Sequence, residues 1–372
     1  MDRQNRMRTP FVDYLAALKP LLDSPLEPVA DEHFDQLARR LFALQFEYVQ
    51  PYHAFCLARG LDPASLPNWT GIPAVPTASF KEFGWTSLPP ADRTRVFHSS
   101  GTTAGTSSRS FHDEHSLAVY ERSLLGWSRE TFIAYDTQNF DLLFLTPDPT
   151  AAPHSSLVHM FDTLRRAPGI ADSRYAGACD DAGHWIVLHD LAQLALVNAQ
   201  STGRPIAILG TAFSFVELLD QLTVSRTCFE LPAGSRILET GGYKGRSRIL
   251  PKSQLYQQLT DILGVPNHFI VSEYGMCELS SQAYDHRAGM PDPESGRAFQ
   301  FPPWARAIVI DPETRALAEV GETGLLRVFD LANVQSVMAI QTEDMARRTR
   351  DGFALLGRAG AAEARGCSLL AR

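Results

Sequence analysis

The chain has 372 residues, of which 44% are hydrophobic and 20% charged, enough apolar material for one large or two ordinary globular domains. Its formal net charge of -8 excludes a broad phosphate-binding surface, so nucleic acid is not an expected partner, though one nucleotide in a local site remains compatible. The longest apolar runs fit buried strands and fall far short of the ~20 residues of a membrane span. Arg3, Arg6 and Arg8 are succeeded by Asp13 and Lys19 rather than an apolar leader core, which gives a cytoplasmic expectation. The five cysteines (Cys56, Cys179, Cys228, Cys277 and Cys367) form no CxxC pair, so neither a disulfide framework nor a structural zinc site is expected.

The first hundred residues read as helical. Asp31 is placed to cap a helix in which Phe34, Leu37, Leu41, Leu44 and Phe46 recur at helical spacing. Pro63, Pro67, Pro73 and Pro76 then mark a connector. From residue 140 the pattern becomes α/β. Strand-like runs at 140–146, 205–211, 236–240 and 268–272 alternate with helix-like runs at 188–200, 215–225 and 253–263, which predicts a parallel sheet with covering helices. Runs at 305–310 and 324–329, joined through Asp311-Pro312-Glu313-Thr314, predict a hairpin or small barrel. Residues 345–372, rich in Ala, Gly and Arg, read as a short hinge-like tail after one large domain at 1–344. Cys56, Cys179 and Cys228 are expected in the core.

Three segments carry candidate chemistry. The twelve residues 98–109 hold seven Ser/Thr and two Gly. Converging backbone N–H groups and hydroxyls of this kind can cradle an anion, and an ordinary surface loop has the same composition. It is not a Walker A loop, which requires a lysine. The segment Tyr274-Gly275-Met276-Cys277-Glu278 comes after an apolar strand, at the end of the sheet where ligands bind in α/β folds. It suits a base, a close backbone approach and Mg²⁺ through Glu278, or a plain turn with Tyr274 in the core. Asp344 can accept ribose hydroxyls or cap a helix, and Asp351-Gly352 is a turn signal.

In this order the segments resemble the adenylate-forming superfamily of acyl-CoA ligases, peptide-synthetase adenylation domains and firefly luciferase. Ser99-Ser100-Gly101-Thr102-Thr103 is similar to its phosphate loop, Gly241-Gly242 fall where it has adenine-pocket glycines, and Tyr274-Gly-x-x-Glu278 matches YGxTE. Thr342-x-Asp344 matches TGD, and Gly357-Arg358 the hinge motif after it. Within that superfamily the chain resembles the acyl-protein synthetase of bacterial luminescence, the fatty-acid-activating subunit of the fatty acid reductase complex. Phe97 to Thr103, Ser155-Ser156-Leu157-Val158 and the stretch from Glu363 to Leu369 carry the likeness.

The resemblance implies a fold of layered α/β sheets with a small β-barrel-like part, lacking the C-terminal domain that supplies the acyl-CoA ligases' lysine. It implies that ATP and Mg²⁺ activate a fatty acid as acyl-adenylate, with Ser99, Ser100, Gly101, Thr102 and Thr103 on the phosphates. Gly241, Gly242, Tyr274 and Gly275 would bind adenine, Asp344 and Arg358 ribose, and Glu278 the metal. Cys367 would take the acyl group as a thioester for an acyl reductase partner; Arg365 and Arg372 near it favour a thiolate. The sequence departs from the pattern twice: Cys277 replaces the YGxTE threonine, and Arg109 is the cation after the phosphate loop in place of lysine. An acyl-CoA or aryl-CoA ligase, or a nucleotide-binding partner subunit impaired in catalysis, are the other readings.

Overall fold

The computed structural model describes residues 3–99, 107–133, 140–242 and 250–359. Helices α1 (Arg3–Asp23), α2 (Asp31–Tyr48) and α3 (Gln50–Leu57) lead into strands β1 (Val75–Pro76), β2 (Arg95–His98) and β3 (Arg109–His112) and helix α4 (Glu114–Ser128). The middle alternates: β4 (Phe140–Phe144), α5 (Ser156–Arg165), β5 (Ile170–Tyr175), β6 (Gly177–Cys179), β7 (Trp185–Val187), α6 (His189–Thr202), β8 (Ile206–Gly210), α7 (Ala212–Val224), β9 (Arg236–Glu239), α8 (Lys252–Leu263) and β10 (Ile270–Tyr274). Strands close the chain: β11 (Ala283–Tyr284), β12 (Ala305–Ile310), β13 (Thr323–Asp330), β14 (Ala339–Arg348) and β15 (Phe353–Arg358). No described helix is long and apolar enough to cross a membrane.

The chain divides into two compact units. One comprises Met1–Gly126, Met276–Ala283 and Ala298–Arg372; the other Trp127–Gly275 and Tyr284–Arg297. Of residues 345–358, 345–348 end β14 and 353–358 form β15. Ala346 on β14 and Phe353 on β15 are buried, and Arg347 is exposed. Thr349 N–H donates to the Gly352 carbonyl at 3.0 Å to reverse the chain between β14 and β15. Only glycine fits there, because a Cβ at Gly352 would meet the Phe299 carbonyl oxygen at 2.1 Å.

In the first unit, α2 buries Phe34, Leu37, Ala38, Leu41, Phe42 and Gln45, a face rotated from the expected one that included Leu44 and Phe46. Asp31 is not the cap. Ala30 holds that position, while the Asp31 carboxylate accepts from Trp69 Nε1 at 3.2 Å and pairs with Arg306. The sheet runs β1-β14-β13-β12, with β15 also on β14. Strands β12 and β13 form the anticipated hairpin, in register from Ala305↔Asp330 to Ile310↔Leu325. Its turn is set by Asp311 Oδ1, which accepts from the N–H groups of Glu313 (2.9 Å) and Thr314 (2.7 Å). Gln45 ties α2 to the segment between β13 and β14. Its Nε2 donates to the carbonyls of Asn333 (2.9 Å) and Val334 (3.3 Å), and its Oε1 accepts from Met338 N–H (2.9 Å).

The second unit is the expected α/β part. Its sheet has the order β11-β10-β9-β8-β4-β5, and the pairs β10/β9, β9/β8, β8/β4 and β4/β5 are all parallel. Every residue of β4, β8, β9 and β10 is buried, as in a sheet covered on both faces. Arg236 enters this core with its guanidinium capped by the carbonyls of Phe132 (2.8 Å), Ile133 (2.7 Å) and Gly234 (3.0 Å). Near the other ends of β9 and β10, Ser272 Oγ donates to Glu239 Oε2 (3.0 Å) and Ser272 N–H to Asp285 Oδ1 (2.7 Å). Lys252 Nζ meets Asp285 Oδ2 at 2.8 Å. Glu273, beside Ser272, is pushed up to about 8 by burial first and the Glu239 charge second. Of the cysteines expected in the core only Cys56 is buried, its thiol pushed up to about 12 by burial; Cys179 and Cys228 are exposed.

These buried polar groups lead to two stability predictions. Gln45→Leu leaves three buried backbone groups without their partner and should lower unfolding free energy by about 3 kcal/mol in a denaturant titration. For Glu273, the folded carboxyl keeps its proton up to about pH 8, whereas the unfolded one releases it near the ordinary 4.5. Its contribution to stability is therefore fully present below about 4.5 and is lost as pH rises to about 8. The stability difference between Glu273→Gln and wild type should accordingly grow in the variant's favour across that range, by on the order of a few kcal/mol; a difference that does not change with pH would contradict the assignment.

Candidate active site

The second unit carries Gly241, Gly242, Tyr274 and Gly275. The last described pairing of β10 with β9 is Ser272↔Glu239. Tyr274 ends β10, and Gly241 lies two residues past the last paired residue of β9, so both stand at the carboxyl ends of the strands. Parallel sheets gather ligand-binding loops at those ends. Gly241 and Gly242 have φ of +66° and +78°, a left-handed turn that glycine adopts without strain. The turn folds over the start of α7: Ala212 N–H donates to the Gly241 carbonyl (3.0 Å) and Phe213 N–H to that of Gly242 (3.3 Å). Glu239 reaches forward to accept Gly241 N–H. Tyr274 is buried at the strand end.

The first unit carries Ser99, Cys277, Glu278, Asp344 and Arg358. The described residues on either side of the Ser/Thr-rich segment pair as antiparallel strands, which composition did not reveal. Strands β2 and β3 pair from Arg95↔His112 to His98↔Arg109. Ser99 N–H donates to the Ser108 carbonyl (3.1 Å) and Ser108 N–H to Ser99 Oγ (3.0 Å), closing the base of the loop. Ser100, Gly101, Thr102 and Thr103 lie outside the described residues, as does Cys367. Arg109 is half-buried, with its guanidinium 5.9 Å from the Phe111 ring.

Glu278 is buried and its surroundings are specific. Cys277 Sγ donates to Glu278 Oε2 at 3.2 Å. Burial, then the Glu278 charge and this hydrogen bond, hold the Cys277 thiol well above its usual range, so it stays protonated and is a poor nucleophile. The backbone just after Glu278 is fixed by two residues that carry no sequence signal, Asp330 and Asn333. Asp330 accepts from Ser280 N–H (2.8 Å), Ser281 Oγ (2.8 Å) and Ala332 N–H (3.0 Å). Asn333 Nδ2 donates to the Glu278 carbonyl (2.8 Å), and its Oδ1 accepts from Ser280 Oγ (3.2 Å). One buried carboxylate positioned this way is the donor type that Mg²⁺ takes alongside phosphate oxygens and water. No cluster of three or more His, Cys, Asp or Glu suited to a metal occurs among the described residues.

Asp344 sits inside β14, so it caps no helix. Its N–H donates to Thr342 Oγ1 (3.1 Å), and Thr342 Oγ1 donates to the Leu326 carbonyl (2.8 Å). The β14–β15 register places Asp344 opposite Arg358, whose Nε lies 3.9 Å from Asp344 Oδ1. The Arg358 side chain is 79% exposed, against 18% for Asp344. The TGD and hinge residues are thus neighbours across two strands.

Solved structures with a similar fold are adenylate-forming enzymes. An open conformation of 2-hydroxyisobutyryl-CoA ligase in complex with 2-HIB-AMP and CoA is similar over 89% of this chain and 76% of its own. Identity is 13% and the TM-score 0.61. The same ligase in its thioesterification state matches over 89% and 69% at 13% identity, with a TM-score of 0.63. ATP-bound MatB from Rhodopseudomonas palustris matches 73% of this chain at 19% identity and a TM-score of 0.48. The chain spans about half (49%) of the length of MatB. No curated protein matches the sequence. The layered α/β fold of the adenylate-forming enzymes, expected from the motifs, is the fold of this chain. The family model for acyl-protein synthetase, LuxE, matches residues 24–371, and the chain belongs to that family.

Proposed function

We propose that the protein activates a long-chain fatty acid with ATP and carries the acyl group on Cys367 for delivery to an acyl reductase. In the first step a carboxylate oxygen of the acid attacks the α-phosphorus of ATP. The bond to the β-phosphate oxygen breaks, giving acyl-AMP and pyrophosphate. Two anions meet in this step, so rate depends on charge neutralisation and alignment. The loop Ser99, Ser100, Gly101, Thr102, Thr103 donates hydrogen bonds to the phosphates. Tyr274 and the turn Gly241-Gly242 take adenine; Asp344, with Arg358 across the strand pair, takes ribose. Mg²⁺ held at Glu278 would supply charge to the phosphates; the Cys277 thiol stands where related enzymes have a hydroxyl, and its one proton goes to Glu278 Oε2.

In the second step the Cys367 thiolate attacks the acyl carbonyl carbon. A thioester forms, and AMP leaves with the electron pair of the broken anhydride bond. The thioester then passes to the reductase partner. The observation that carries this reading is the family match itself, which runs through residue 371 and so includes Cys367. The buried, hydrogen-bonded thiol of Cys277 supports the division of labour between the two cysteines.

Intact-protein mass after incubation with ATP, Mg²⁺ and myristate tests the proposal. Wild type should gain one acyl group that hydroxylamine removes, and Cys367→Ala should gain none. Pyrophosphate release that rises with added coenzyme A, with no mass change in wild type, would instead identify an acyl-CoA ligase.

A further inference from the structure

Strands β12 to β15, with Trp69, Thr70 and residues 299–301, line a half-open cavity of about 640 Å³ in the unit that holds Glu278. Strand β12 forms one wall along its whole length, and the turns β12–β13 and β14–β15 bracket it. Arginines reach it from separate stretches of chain: Arg306 on β12, Arg315 in the first turn, Arg327 on β13, Arg348 at the end of β14 and Arg350 in the second turn. The wall contains a single acid, Asp351. Such a concentration of positive charge stands out in a chain of net charge -8.

Arg306 is accounted for structurally. It pairs with Asp31 and lies 4.1 Å from the Phe34 ring centroid. Arg327 and Arg348 are not accounted for in this way. Each is partly buried, and each is anchored by one neutral hydrogen bond: Arg327 Nε to Gln341 Oε1 (2.8 Å) and Arg348 Nη1 to the Ala318 carbonyl (2.7 Å). Neither meets a carboxylate among the described residues. Burial lowers the affinity of Arg327 for its proton, the sign of a cation held where water compensates it poorly. In the same wall Thr349 has a buried hydroxyl with no hydrogen-bond partner among the described residues. A donor without an acceptor and guanidinium groups without an anion are complementary to one ligand class.

We propose that this cavity binds a multiply charged oxyanion, the diphosphate group of a nucleotide or coenzyme or free pyrophosphate. Guanidinium forks match phosphate oxygens in bidentate geometry. Among the described residues, the wall includes none of Ser99, Gly241, Tyr274, Glu278 and Asp344, so its lining does not overlap those residues assigned to ATP activation. A single carboxylate would leave most of the arginine charge uncompensated, which favours the more highly charged group.

Calorimetric titration of the full chain with inorganic pyrophosphate, ADP and acetate tests this. Wild type should bind pyrophosphate at two sites and acetate at neither. Arg327→Gln/Arg348→Gln should weaken one pyrophosphate site by about tenfold or more while leaving fatty-acid-dependent ATP–pyrophosphate exchange intact. Arg350→Glu, at an exposed turn position where folding is not at stake, should weaken the same site comparably. Thr102→Ala should do the converse, losing exchange and keeping the cavity site. Tighter binding of ADP than of pyrophosphate at that site would assign a nucleotide or coenzyme as the source, and equal binding pyrophosphate itself. Unchanged pyrophosphate isotherms in both arginine variants, or acetate binding as strong as pyrophosphate, would overturn the proposal.

Discussion

The geometry around Glu278 depends on one buried carboxylate. Asp330 ends β13 with no exposed surface, and burial pushes its carboxyl up to about 6, against the pull of the hydrogen bonds it accepts. A charge or proton held in such a place is tolerated only if its lone pairs are used. Here they are used by Ser280, Ser281 and Ala332, so the segment after Glu278 is tied to the end of a strand whose place in the sheet is fixed by pairing on both sides. The tie extends outward. Trp304 Nε1 donates to Ser123 Oγ (2.8 Å) and Ser281 Oγ (3.1 Å), and Tyr14 OH donates to the Leu331 carbonyl (2.9 Å). Helices α1, α2 and α4, the segment 277–281 and the sheet therefore share one satisfied polar network. Position at Glu278 is inherited from that network rather than from the loop's own preference.

The other unit reaches an equivalent result by register. A parallel sheet aligns strand ends, and pairing of β9 with β10 brings the Gly241-Gly242 turn and Tyr274 to the same edge of the sheet. Beyond its last paired residue the chain must turn sharply, which is why glycines with positive φ come directly after β9. The buried acids there are Glu239, Glu273 and Asp285; burial raises the carboxyls of Glu239 and Glu273, and the Glu239 charge raises that of Glu273 further. Their contact with Lys252 and Ser272 limits the cost.

Much of this is legible in the sequence because it repeats. Strands β4, β8, β9 and β10 and helices α6, α7 and α8 announce themselves by apolar period and length, and Asp311-Pro312-Glu313-Thr314 is a turn by its chemistry. The segment 345–358 reads as tail because Ala, Gly and Arg dominate it, although Ala346 and Phe353 are buried in two paired strands. Asp31, Cys179 and Cys228 depart from expectation for a related reason: residue type gives a preference, and a distant partner or the surface decides. The residues that hold Glu278 are invisible in the sequence. Asp330 lies 50 positions from Ser280 and Asn333 lies 55 from Glu278, and no local pattern encodes such a bond. The motif residues themselves emerge only through family likeness, since Tyr274-Gly-x-x-Glu278 by composition is only a strand and a turn.

The most direct test of the role of Glu278 is fatty-acid-dependent ATP–pyrophosphate exchange in Glu278→Gln and Asp330→Asn, each with its ATP affinity measured in parallel. Glu278→Gln is expected to lose exchange by about a hundredfold or more while still binding ATP within about tenfold of wild type. Asp330→Asn should fall between that variant and wild type, through misplacement of Glu278 alone. Exchange at the wild-type rate in Glu278→Gln would contradict this role and remove the carboxylate from the reaction.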